Sequence, residues 1–194
     1  MLKPRTNSGF TLIEALVAMA IAAVLMGMAL PSLIEYQANA KIRSAATNFS
    51  AAMQFARTEA IRLNGSAGLI LTSDAPVTAN ANTATPSTTG PNWMVRSASA
   101  AAPPVYTLIQ GKAATDGMSQ VLIDGGALSS VNFNGLGASD QAGIASFNIS
   151  NPGAGTCVAV GGSMRCLRVQ VTVGGQVRIC DPVVTTAGDS RTCS

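Results

Sequence analysis

The chain has 194 residues, 47% hydrophobic and 11% charged, a length that suits one globular domain with an appended apolar segment. Twelve basic and nine acidic side chains leave +3, and only +1 without Lys3 and Arg5, far less than a dedicated nucleic-acid binder carries. There is no histidine, and no carboxylates stand at acid/base or metal-ligand spacing, so neither an enzyme nor a metal or cofactor site is expected.

Residues 10–34, FTLIEALVAMAIAAVLMGMALPSLI, carry one charge, Glu14. As a helix rising roughly 1.5 Å per residue they would extend about 37 Å, enough to cross a bilayer. The basic leader 1–9, MLKPRTNSG, stops where the apolar run begins, so cleavage there would leave the anchor in place, unlike cleavage of a secretory signal. Lys3 and Arg5 hold the start in the cytoplasm and send the remainder outward. Glu14 admits two readings: a headgroup-level carboxylate accommodated by the helix dipole, or an intramembrane charge kept for a partner. Pro31 lacks a backbone donor, and with Gly27 it predicts a bend.

The run Gly9, Phe10, Thr11, Leu12, Ile13, Glu14 resembles the processing site of type IV prepilins and type II secretion pseudopilins. That resemblance implies cleavage after Gly9 by the prepilin peptidase, methylation of the new Phe10 amine and retention of the apolar helix. It also implies pairing of Glu14 with the Phe10 amine of a neighbouring subunit during filament assembly.

Residues 35–64 read as the amphipathic half of the same helix. Ile42, Ala45, Ala46, Phe49, Met53, Ala56, Ala60 and Leu63 recur at three- and four-residue steps, while Lys41, Ser44, Asn48, Arg57 and Arg62 fall elsewhere. Phe49, Met53 and Phe55 are expected to pack on a sheet, Glu59 and Arg62 to pair on the surface, and Asn64–Gly65 to cap the end. The stretch NFSAAMQFARTEAIRLN, 48–64, resembles the GspH/FimT group of minor pilins and pseudopilins. This implies an α+β, type IV pilin-like fold, a long N-terminal helix packed against an antiparallel β-sheet head, here residues 65–194.

Within the head, β-prone runs at 68–72, 93–96, 105–110, 120–123, 131–133 and 145–149 predict strands of one antiparallel sheet. The Pro-, Thr- and Ala-rich stretches 75–91 and 97–104 predict exposed loops. In LRVQVTVGGQVRIC, 167–180, a hairpin with a Gly174–Gln176 loop would pair Val173 with Val177 and Val171 with Ile179, leaving Arg168 and Arg178 on the outer face. Four cysteines in an exported chain suggest disulfides, and of three connectivities the neighbouring pairs Cys157–Cys166 and Cys180–Cys193 are the simplest. Each would close a loop worth on the order of 3 kcal/mol. A zinc site lacks both a C-x-x-C pair and a histidine.

These features lead to a structural minor pilin that primes or tips a type IV pilus with other minor and major pilins, its helix in the inner membrane and its head periplasmic. Incorporation into a pilus would make the head extracellular. Some FimT-like members capture DNA for natural transformation through a Gly-Arg-x-Arg motif near the C-terminus. Here Gly175 and Arg178 match that motif while Gln176 replaces the first arginine, with Arg168, Arg165 and Arg191 as further candidate contacts. A type II secretion pseudopilin is the third reading.

Overall fold

The computed structural model describes residues 10–116 and 120–193. One helix, α1 (Leu12–Leu63, 52 residues), opens the described chain. Thr11 caps it, its Oγ1 accepting from the Glu14 amide at 3.3 Å, and Asn64 ends it in the left-handed region at φ 45°. The segments Leu12–Gly27 and Ser32–Leu63 meet at 42°, across the break that contains Pro31. Among the described residues no single helix is long and apolar enough to cross a membrane, but this bent pair passes by length and composition.

Among the described residues nine strands follow: β1 (Ser66–Leu71), β2 (Thr89–Gly90), β3 (Trp93–Ala98), β4 (Tyr106–Lys112), β5 (Leu122–Asp124), β6 (Ser130–Phe133), β7 (Ala145–Ser150), β8 (Leu167–Val171) and β9 (Val177–Cys180). They form two antiparallel sheets in the orders β4-β3-β1-β6 and β2-β5-β7-β8-β9, which corrects the expectation of one sheet. The split lies between β5 and β6. Gly125 turns there so tightly that a Cβ would collide with the Leu128 carbonyl, and β6 returns to β1 while β5 joins β7.

The C-terminal half of α1 packs on strands of both sheets. Ala38, Ile42, Ala45, Ala46, Phe49, Ala52, Met53, Ala56 and Ala60 form its buried stripe. Phe49 joins the layers, meeting Trp93 of β3 at 6.5 Å and Phe147 of β7 at 5.2 Å between ring centroids, both edge-on. Two expected core positions do not belong to it: Phe55 is 37% and Leu63 44% exposed, the first off the stripe and the second in the last turn. Glu59 is nearly buried and binds the exposed Arg62 at 2.7 Å, so the pair sits at the core's edge and not wholly on the surface.

Residues 75–91 are more ordered than an exposed loop. They hold a short 3-10 helix, Thr78–Asn80, and β2, and Ala81 is buried with its carbonyl accepting from Arg96 at 2.8 Å. Arg96 in turn lies over the Tyr106 ring at 3.8 Å. At the other low-complexity stretch, β3 runs on to Ala98 and takes the first two residues of the expected loop.

Candidate functional site

Two regions hold the residues singled out by sequence. At the start of α1, Phe10 is 85% exposed, and Leu12, Ile13, Leu16, Val17, Met19, Ile21, Val24 and Leu25 are also uncovered. Glu14 stands exposed in the first turn, with no ion-pair partner among the described residues. Gly9 and the leader lie outside the described residues. A band of large apolar side chains this continuous needs lipid or other helices to cover it.

The second region is the C-terminal end of the head. Cys157 is bonded to Cys166, Cα–Cα 5.4 Å, around the 3-10 turn Val158–Val160. Cys180 is bonded to Cys193, Cα–Cα 5.1 Å, and folds the tail back so that the Asp181 amide donates to the Arg191 carbonyl at 2.8 Å.

The β8–β9 hairpin pairs Val171 with Val177 and Val169 with Ile179, two residues away from the expected register. Thr172 N donates to the Gln176 carbonyl and Gly175 N to the Thr172 carbonyl, so the loop is Val173–Gly175 and not Gly174–Gln176. Because the shift is two residues, the paired side chains keep their faces, but Val173, expected on the apolar face, falls in the loop and is exposed. Gly175 adopts φ 76° against the Gly137 carbonyl, with no room for a Cβ. Arg57 of α1 donates to Gly137 O at 2.9 Å and to Gly174 O at 3.4 Å, and the Ser139 amide donates to Val173 O at 2.9 Å. The tip is thus docked on the molecule.

The candidate arginines do not converge. On the outer face of the second sheet Arg168 donates to Asn148 Oδ1 at 2.7 Å, and Arg178 to Gln170 Oε1 at 2.8 Å, with the exposed Gln176 on the same strand side. Arg165 and Arg191 belong instead to a cleft of about 330 Å³ on the helix side, walled by Leu167, Ile179 and Cys180. There Arg165 binds the buried Asp181 at 2.6 Å and Arg191 binds Asp189 at 2.7 Å. The Arg191 guanidinium and amide, both donating to Asp189, hold its carboxyl down to about 2.

Sequence reasoning missed Asn39 and Arg43, which line the same cleft from α1. Their i, i+4 spacing at the border of the apolar stripe was the available signal. Asn39 Oδ1 accepts from the Arg165 amide at 2.8 Å. No group of His, Cys, Asp or Glu that could hold a metal occurs among the described residues.

Comparison with known proteins places these features. Residues 4–30 match the prokaryotic N-terminal methylation motif, and residues 45–175 match the family described as type II transport protein GspH. Among solved structures, the type IV minor pilin FimU of Pseudomonas aeruginosa, strain PAO1, is similar in fold in two crystal forms. One is 16% identical, covers 75% of this chain and 95% of its own, with a TM-score of 0.51. The other is 16% identical, covers 74% and 99%, with a TM-score of 0.50. No curated protein matches the chain in sequence.

Proposed function

The chain belongs to the GspH family and carries the N-terminal methylation motif, and from that premise we infer that it is a structural minor subunit of a type IV pilus, acting in priming, assembly or at the tip. The observation that carries this reading is the uncovered apolar N-terminal half of α1 beside a head whose own core is closed. Packed side by side, such helices would form the hydrophobic core of an open helical assembly, with other minor and major pilins as partners. Before assembly residues 10–34 would sit in the inner membrane, with the head, residues 65–194, in the periplasm. Prepilin peptidase would remove 1–9 by cutting between Gly9 and Phe10.

The intact mass of membrane-purified protein tests this. A chain starting at methylated Phe10 is expected, and Met1 retained or a cut near Leu30 would refute it. Recovery in sheared pili, as against a periplasmic pseudopilus, separates the pilus reading from a secretion pseudopilin.

A second reading, capture of DNA, is favoured by the position of Arg168 and Arg178 on adjoining strands of one outer face. Few phosphates could be engaged, so the salt slope of log affinity should be shallow, about 0.9 per phosphate. Gel shifts are expected to weaken with Arg178→Gln and strengthen with Gln176→Arg. Unchanged binding by Arg178→Gln, or none at low salt, leaves the structural role alone. Arg165 and Arg191, turned to the helix side, would contribute little to that face.

A further inference from the structure

Beyond Ile34, α1 changes from apolar to cationic within two turns. Met26, Leu30, Leu33 and Tyr36 border a shallow apolar groove. A second depression, lined by Tyr36, Asn39, Ala40 and Arg43, continues it upward, and Asn39 and Arg43 then enter the cleft of Arg165 and Arg191. The three depressions thus adjoin along the helix, the first two sharing Tyr36 and the last two Asn39 and Arg43, and lead from the apolar helix surface to three guanidinium groups. The carboxylate of the cleft, Asp181, is bound by Arg165, and Arg191 is bound to Asp189, while the Arg43 side chain has no hydrogen bond or ion pair among the described residues. Glu35 lines none of the three depressions.

Depth along the helix indicates what fits. At roughly 1.5 Å per residue, Asn39 and Arg43 lie about 8 and 14 Å past Ile34. The polar layer on each side of a bilayer is roughly 5–8 Å deep. Helical side chains lean toward the N-terminus, which brings the Arg43 guanidinium back toward the level of Asn39 and the outer edge of that layer. Tyr36, 73% exposed, stands where an aromatic residue marks the membrane boundary.

We propose that these adjoining depressions hold one anionic phospholipid while the chain is anchored, its phosphate among Arg43, Arg165 and Arg191 and an acyl chain along Met26, Leu30 and Leu33. The Cys180–Cys193 bond, which forms part of the cleft wall and fixes the tail bearing Arg191, would hold the site open. This rests on the reading of residues 10–34 as membrane-embedded. The lipid would orient the head on the membrane and be released when the helix leaves the bilayer for a filament.

The test uses the full chain in neutral detergent, with its thermal midpoint read by the fluorescence of its one tryptophan, Trp93. It is titrated with dihexanoyl phosphatidylglycerol, dihexanoyl phosphatidylcholine and inorganic phosphate. Phosphatidylglycerol should raise the midpoint at about tenfold lower concentration than phosphatidylcholine. Arg43→Gln and Arg191→Gln should each remove most of that preference, whereas Lys112→Gln, the same charge change in β4, should keep it. Equal response to the two lipids, no effect of Arg43→Gln, or inorganic phosphate matching phosphatidylglycerol would overturn the proposal. Flotation of the same preparation with liposomes separates the premise: failure to float overturns anchoring and the lipid site together, while flotation without lipid preference overturns the site alone.

Discussion

Arg191 grips Asp189 with three donors: its amide at 2.9 Å, Nε at 3.1 Å and Nη2 at 2.7 Å. Such bidentate, charge-assisted bonding favours the ionised carboxylate and lowers its pKa to about 2. Since an unfolded Asp titrates near 3.9, the interaction is complete above that value and is lost as pH falls through about 2. Carboxyl chemical shifts followed over pH should place Asp189 near 2, and Arg191→Gln should raise it toward the ordinary value. An Asp189 titrating normally in the unaltered chain would show that the tail does not hold this geometry in solution. The exposed position makes this a local marker of the tail and not a source of stability. Nothing in the sequence showed it: Arg191 read as a candidate DNA contact, and the turn Asp189–Thr192, closed by the Thr192 amide donating to the Asp189 carbonyl at 3.0 Å, brings the two side chains together.

The β8–β9 hairpin shows why some elements could be read and others not. The buried stripe of α1 repeats every three or four residues and was legible from Ile42 to Ala60, because local periodicity and burial agree there. Strand alternation likewise placed Val169 and Val171 inward. What local pattern could not supply was the partner of each strand: β1 lies between β3 and β6, and the choice of two sheets depends on pairings across some sixty residues. The hairpin register was open for a related reason, since Gly174 and Gly175 both suit a turn. Docking on the 134–139 loop selects Gly175 for the left-handed position, through its approach to the Gly137 carbonyl. Gly175→Ala should therefore cost about 1–3 kcal/mol through positive φ and the collision. Gly174→Ala, with space around it, should cost little. Thermal midpoints of the two full-length variants measure this, and equal losses would mean that the tip is not docked.

For the whole molecule, the question is what covers the first half of α1. Its exposed side chains from Phe10 to Ile34 form a far larger apolar surface than a soluble subunit carries, and the only charge among them is Glu14. In a bilayer an ionised carboxylate near the end of the span costs several kcal/mol, so removing it should ease insertion. If it is kept for assembly, its natural counter-charge is a terminal amine exposed by processing at Phe10 on an adjacent subunit, since Glu14 finds no ion-pair partner among the described residues of its own chain. Glu14→Val should then leave flotation with liposomes intact and abolish recovery of the chain in sheared filaments. Glu14→Asp, which retains the charge on a shorter stem, should restore part of that recovery. The head's two disulfides and core lie far along the chain from residue 14, so the melting midpoint should stay the same in both variants. Normal incorporation of Glu14→Val would sink the pairing with Phe10 and return Glu14 to the role of a headgroup-level carboxylate stabilised by the helix dipole.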